Sequence, residues 1–257
     1  MIPTLNTTDL ERPRTQTELR AWVDDLHRKF GQTQEGKRAV RLNRGDLVKR
    51  FKEEIWPLAL FADAFYNGRG DVLFKPVIGN QSYDALILEA SAHKVLHHLQ
   101  ITQSFDGYQN YLRMLHLVEH GRAPVTSAML QRDKASGRVP ETWPEAVPHD
   151  QVLARTFVAI HEAVRRKSQM RYESDTSLIV EFEDNHIHSE SDRSALDSFA
   201  RSTVVPAAAH VAALYLVSDR ERLAFKYESG AAAQQPIGAD RLSRPLNLSV
   251  DMTSAVK

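Results

Sequence analysis

The chain has 257 residues, 33 basic and 33 acidic side chains, and no cysteine. That length suits one large domain or two small ones with a real core, and zero net charge excludes a globally basic coat for nucleic acid. Without cysteine there is no disulfide framework, thiol catalysis, zinc ribbon or iron–sulfur cluster, so any chemistry falls to carboxylates, histidines, hydroxyls or a bound ion.

Met1 to Asp9 lacks the basic and apolar regions of a secretory signal. The longest apolar stretch, Val204 to Val217, is broken by Pro206 and His210 and is too short for a bilayer. These features lead us to expect a cytoplasmic protein with no membrane partner. The charge is polarised: Met1 to Lys52 holds twelve Lys or Arg against seven Asp or Glu, whereas Glu141 to Ala200 holds six against twelve. A basic front and acidic rear suit steering of a polyanion, or simply two solvated faces of opposite sign.

Thr15 with Glu18 forms a capping-box pattern ahead of Leu19, Trp22, Val23, Leu26 and Phe30, predicting an amphipathic helix. Gly31 to Gly45 is polar and basic and reads as a loop. Leu47, Phe51, Ile55 and Leu58 share a second helical stripe, bent at Pro57 and ending near Tyr66. Val72 to Ile78, Tyr83 to Ala90 and Val95 to Thr102 then read as an antiparallel meander.

Ser104 or Asp106 caps a helix carrying Tyr108, Leu112, Leu115 and Val118, which Gly121 stops. Four prolines mark Pro124 to Pro148 as an irregular connection. A helix over Gln151 to Lys167, a strand over Ser177 to Glu183, a helix over Ser194 to Thr203 and a strand pair, Val211 to Val217 with Leu223 to Tyr227, complete the pattern. Beyond Ser229 the Ala-, Gln-, Ser- and Pro-rich composition predicts a disordered tail. The division is an N-terminal helix and basic loop over 1–45, an α/β domain over 46–228 and a tail over 229–257. No P-loop, dinucleotide, zincin or serine-hydrolase motif is present.

The order αβββαβ, with Asp84 on the second strand and Gln100-Ile101-Thr102 closing the third, resembles the PD-(D/E)XK nuclease superfamily, whose fold is restriction-endonuclease-like. Tyr83-Asp84 stands for the first half-motif and Gln100-x-Thr102, sixteen residues on, for the second. The chain also resembles uncharacterised bacterial proteins with a YDA…ExT pattern and a helix opening at Asp106-Gly107-Tyr108. The resemblance covers about Leu47 to Gly121 and, more loosely, the core to Tyr227. It implies a mixed central sheet flanked by helices, and a site where acids from neighbouring strands and a backbone carbonyl hold Mg2+ against a scissile DNA phosphate. On that basis Asp84 is the principal Mg2+ ligand, with Gln100 and Glu54 as further ligands, Glu53 as the fallback, and Thr102 in the place of the family's lysine. Gln100 is neutral where the family has an anion, and Thr102 is uncharged where it has an ammonium. Lys75, Lys94 and Arg113 are candidates for a migrated, phosphate-contacting cation.

Strand alternation sets a geometric condition. Glu89, five residues from Asp84, faces the opposite side, and Asp84 joins Gln100 and Thr102 only across an odd connection, for instance Ala92-His93-Lys94. That register pairs Asp84 with Thr102 and Leu86 with Gln100, leaving His98 on the site's face and His97 away from it. The implied function is Mg-dependent phosphodiester hydrolysis of DNA; the alternative is an inactive nuclease-fold binding or regulatory protein, in a phage-defence or mobile-element setting.

Other groups compete. Asp184, His186, His188 and Asp192 follow a strand and suit a transition metal or a solvated loop. His116 and His120, four apart, suit a metal or an exposed helix face. Arg165-Arg166-Lys167 with Arg171 suits a helix dipole or a phosphate. Tyr108 and Tyr111 suit base stacking, although Tyr108 lies on the apolar stripe and reads as core.

Overall fold

The structure, a computed structural model, describes residues 3–123, 130–139, 147–170, 172–220 and 222–228. Part of the connection Pro124 to Pro148 and the whole tail from Ser229 lie outside the described residues.

Thr15 makes the expected capping box with Glu18 and starts α2 (Gln16–Gly31), which follows a single turn, α1 (Thr7–Leu10). The stretch read as a basic loop is instead helical: Thr33 caps α3 (Gln34–Arg41) by accepting from the Gly36 N–H. Its buried face consists of Gly36 and Ala39, which leave no bulky apolar period to see. Next come α4 (Asp46–Arg50), a π turn over Phe51–Ile55 and α5 (Trp56–Tyr66). Pro57 accounts for the π turn. Its ring would meet the carbonyl four residues back, and widening the preceding turn, with the Trp56 N–H reaching the Phe51 carbonyl, relieves the clash.

The meander follows as β1 (Val72–Pro76), β2 (Ala85–Glu89) and β3 (Val95–Gln103). Asp106 caps α6 (Gly107–His120), and Gly121 ends it at φ 73°. After α7 (His149–Ser168) come β4 (Thr176–Phe182), α8 (Glu190–Phe199), a second π turn (Ala200–Val204) before Pro206, α9 (Val205–Ala207), β5 (Ala213–Ser218) and β6 (Ala224–Glu228). Among the described residues no helix is long and apolar enough to cross a membrane.

Six strands form one open mixed sheet in the order β1-β2-β3-β4-β5-β6. β3, β4 and β5 are parallel, and the outer pairs are antiparallel. On one face α2, α5 and the first π turn bury Leu99, Ile101, Ile179 and Tyr215. On the other, α7 and α8 bury Leu178, Val180, Leu214 and Leu216. Gln100 and Thr102, beside Leu178 and Val180, therefore sit on the α7 face.

The β1 edge is covered by the N-terminus, where Arg14 and Phe74 exchange backbone hydrogen bonds of 3.0 and 2.7 Å. Arg14 is fixed in turn by Asp9 at 2.8 Å and by the Trp22 ring, 3.8 Å from its guanidinium carbon. Such cover protects an edge strand from pairing with another chain.

Phe61 is the hub of the α5 core: it is fully buried, with the Phe74 ring at 6.3 Å and the Tyr215 ring at 4.8 Å. Phe61→Ala should cost about 3 to 5 kcal/mol of unfolding free energy, read as a lower urea midpoint with an unchanged slope.

Candidate functional site

The site begins where β2 parts from β3. The last ladder pair is Ala85 with Leu99, and Asp84 follows opposite Gln100, its N–H donating to the Leu99 carbonyl at 2.8 Å. This keeps the parity needed to put Asp84 with Gln100, but the expected register is off by two residues: Leu86 faces His98, not Gln100. The connection is Ala90 to Lys94, with an irregularity between Ile87 and Leu88 and a left-handed residue, His93 at φ 51°. Thr102 consequently lies beyond Asp84 rather than opposite it.

Beyond Leu99 the edge of β3 has no strand partner on that side. The Asp84 carboxylate takes the strand's place: Oδ2 accepts from the Ile101 N–H at 2.8 Å and from the Gln100 side-chain amide. The same Nε2 lies 3.4 Å from the Ile101 carbonyl oxygen. Gln100 is 3 % exposed. The result is a notch in the sheet that holds a carboxylate, an amide and a backbone carbonyl.

The π turn of the opposite layer brings Glu54 to this notch. Its side chain is 15 % exposed, pairs with Arg50 one turn back, and leaves Oε2 buried with no hydrogen-bond partner among the described residues. Burial and the nearby Asp84 charge push the Glu54 carboxyl up to about 7. Asp84 is itself raised by burial, against the pull of the Ile101 N–H, Lys167, Arg50 and Gln100. Glu53, the fallback, turns elsewhere, to Asn43 at 2.9 Å and Lys49 at 3.9 Å.

Lys167 and Arg50 are cations that pull the Asp84 carboxyl down. Lys75 is on β1 opposite Leu86, two residues before Val77, whose N–H donates to the Asp84 carbonyl at 2.9 Å. Lys94 is in the hairpin at the far end of β2. Arg113 is buried on α6 and acts on Glu183. Arg50 was legible as an i, i+4 partner of Glu54. Lys167 belongs to the basic end of α7 that suits a helix dipole or a phosphate; Arg171 of that group is outside the described residues. Tyr172, whose buried hydroxyl has no partner among the described residues and whose titration is raised by burial and by Asp84, had no signal.

Of the histidine and acid group after β4, Asp184 turns away, fully buried in a bond from Arg222 Nε at 2.9 Å. Asp192 closes the capping box of α8, accepts from the His188 N–H at 3.0 Å and lies 3.2 Å from His149, whose ring stacks on that of His188. No set of three or more potential metal ligands occurs among the described residues. His186 instead lines a cavity of about 470 Å³ with Arg113, Arg155 and Phe105. His98 is held by Asp175 at 2.9 Å and the Tyr83 ring at 4.7 Å. His116, expected on an exposed face, is buried with Nδ1 2.7 Å from the Arg122 carbonyl.

Comparison with family models, with curated proteins and with solved structures gives no match, so the chemistry has to be argued from the chain's own residues.

Glu54 makes stability depend on pH. Below its ordinary value of 4.5 the carboxyl is protonated whether the chain is folded or not; between 4.5 and about 7 the folded chain keeps a proton that the unfolded chain releases. Its contribution is therefore complete in acid and is lost as pH rises through about 7. Fully buried Glu181, pushed up to about 8, acts in the same sense. The unfolding free energy from urea melts should fall between pH 5 and pH 8 by about 1 to 3 kcal/mol less in Glu54→Gln than in the unaltered chain.

Proposed function

We propose that this chain is a PD-(D/E)XK-like, cytoplasmic protein that acts on or binds DNA at the Asp84 notch, with a divalent cation, Mg2+ by preference, shared between protein and phosphate. The observation that carries the reading is the convergence of Glu54, Asp84 and the Ile101 carbonyl where β3 parts from β2. Mg2+ is commonly held by one or two carboxylates with its remaining positions left to water and phosphate. The donors match that demand. Among the described residues Glu54 Oε2 is buried with no partner, and burial raises both carboxyls, the Asp84 charge adding to the effect at Glu54.

In this reading Asp84 and Glu54 hold the ion, and Gln100 turns its amide oxygen inward to join them. When bound, the ion neutralises phosphate charge and acidifies water near it. Lys167 takes over the role expected of a lysine at Thr102, holding positive charge beside Asp84 from the α7 layer. Tyr172 offers its hydroxyl to the phosphate from the same side.

One observation favours the inactive alternative. The Gln100 amide nitrogen is set between the Asp84 carboxylate and the Ile101 carbonyl, a donor filling ground that a cation would take. Gln100→Glu discriminates. Plasmid and single-stranded DNA incubated with Mg2+ or Mn2+ should be cut by the unaltered chain, faster by Gln100→Glu, and not by Asp84→Ala. If only Gln100→Glu cuts, the natural chain is a binding protein on an inactivated site. If neither cuts nor binds, the DNA assignment fails.

A further inference from the structure

Two features of the sequence play no part in the notch: the basic segment after Gly31 and the tyrosines of α6. The structure brings them together. α3 packs beside α6, and Arg41 from the end of α3 lines one small cavity, about 80 Å³, with Lys52, Gln103 and Tyr111.

Lys37, Arg38, Arg41 and Arg44 have no carboxylate within ion-pair distance among the described residues, whereas Lys29 and Lys49 on either side are paired with Asp25 and Glu53. Charge left unbalanced over so short a segment is an electrostatic footprint for a polyanion.

Tyr108 was expected in the core but is 58 % exposed, and Tyr111 is 38 % exposed. At i and i+3 they are neighbours on one helix face. Exposed tyrosines beside uncompensated arginines fit a ligand with alternating flat rings and phosphates. A duplex stacks its bases on one another and offers only their edges, whereas a single strand presents the faces. The cavity wall includes Glu53, which precedes Glu54 on the π turn, and Gln103, the last residue of β3.

The geometry points to a docking surface for single-stranded DNA on the α3–α6 face: Tyr108 and Tyr111 stack bases, while Arg38, Arg41 and Arg44 contact phosphates and lead the strand toward Glu54 and Asp84. This deepens, and rests on, the DNA-binding reading of the notch.

The test uses the full chain in EDTA, so that no metal bridge contributes, with fluorescence anisotropy of a labelled oligothymidylate of about 16 nucleotides and of a duplex of equal length. Tyr108→Leu and Tyr111→Leu should each weaken the single strand about tenfold, with Tyr108→Phe close to the unaltered chain because the ring is kept. The triple change Arg38→Ala, Arg41→Ala, Arg44→Ala should reduce the slope of log affinity against log salt by about 2. Duplex affinity should be lower and indifferent to the tyrosines. Circular dichroism of each variant establishes that it is folded.

Single-strand binding that tolerates both the tyrosine and the arginine changes overturns this inference alone, as does a duplex bound more tightly than the single strand. Absence of binding to either oligonucleotide overturns the inference. The notch reading has its own arm, since binding or cleavage with Mn2+ that Asp84→Ala abolishes upholds it even when the α3–α6 face proves inert.

Discussion

The hydrogen bond from the Ile101 N–H to Asp84 governs the rest of the site. A strand that loses its neighbour exposes a row of donors and acceptors, and a buried N–H left without a partner costs about 1 to 3 kcal/mol. Asp84 ends the β2 ladder by supplying a carboxylate in place of the next carbonyl. The β1–β2 hairpin can then diverge while β3 continues to Gln103 on its pairing with β4 alone. The same contact leaves the Ile101 carbonyl facing the opening. Fold and candidate chemistry share one atom pair.

The second constraint comes from proline. Both π turns finish immediately before a residue-proline pair, Trp56-Pro57 and Val205-Pro206. In each case the widened turn relieves the ring's clash without breaking the helix. At the first turn it also distributes three adjacent charged residues: the Lys52 carbonyl toward Gln103, Glu53 to Asn43, and Glu54 to Arg50 and the notch. The second turn buries Ala200 and Val204 in the α8 packing. A π turn is therefore no sign of function by itself; the residues carried on it decide.

The sequence made the elements legible wherever burial leaves a period. The capping box at Thr15, the apolar runs of the meander and the Gly121 stop all read directly, because each is a local signal. α3 escaped because its inward face is Gly36 and Ala39, so its helicity is visible only in tertiary contact. Tyr108 is exposed because the apolar stripe of α6 is buried only from Leu112 onward; in the first turn the buried side chain is Gln109, bonded to the Leu130 backbone. The motif resemblance picked out Asp84 and Gln100, and parity along the strands, which depends only on alternation, set the condition under which they share a face. The two-residue slip, set by the left-handed His93 and the irregularity near Ile87, was beyond reach. Lys167 and Tyr172 arrive from a segment more than sixty residues away, and no periodicity reports such a meeting.

Gln100 is best understood through charge balance. The notch gathers two carboxyl groups, Asp84 and Glu54, and two cations, Arg50 and Lys167. A third acid at position 100 would leave excess negative charge in a buried place, tolerable only with a metal ion always present. With an amide there, the apo site is near balance and can be held by hydrogen bonds. A phosphate arriving alone would upset that balance and meet two carboxyl groups; a divalent ion arriving alone would meet two fixed cations. Arriving together, each offsets what the other disturbs. On the proposed reading, an amide at position 100 would make ion and phosphate raise each other's affinity, and linkage requires such a coupling to be equal in both directions.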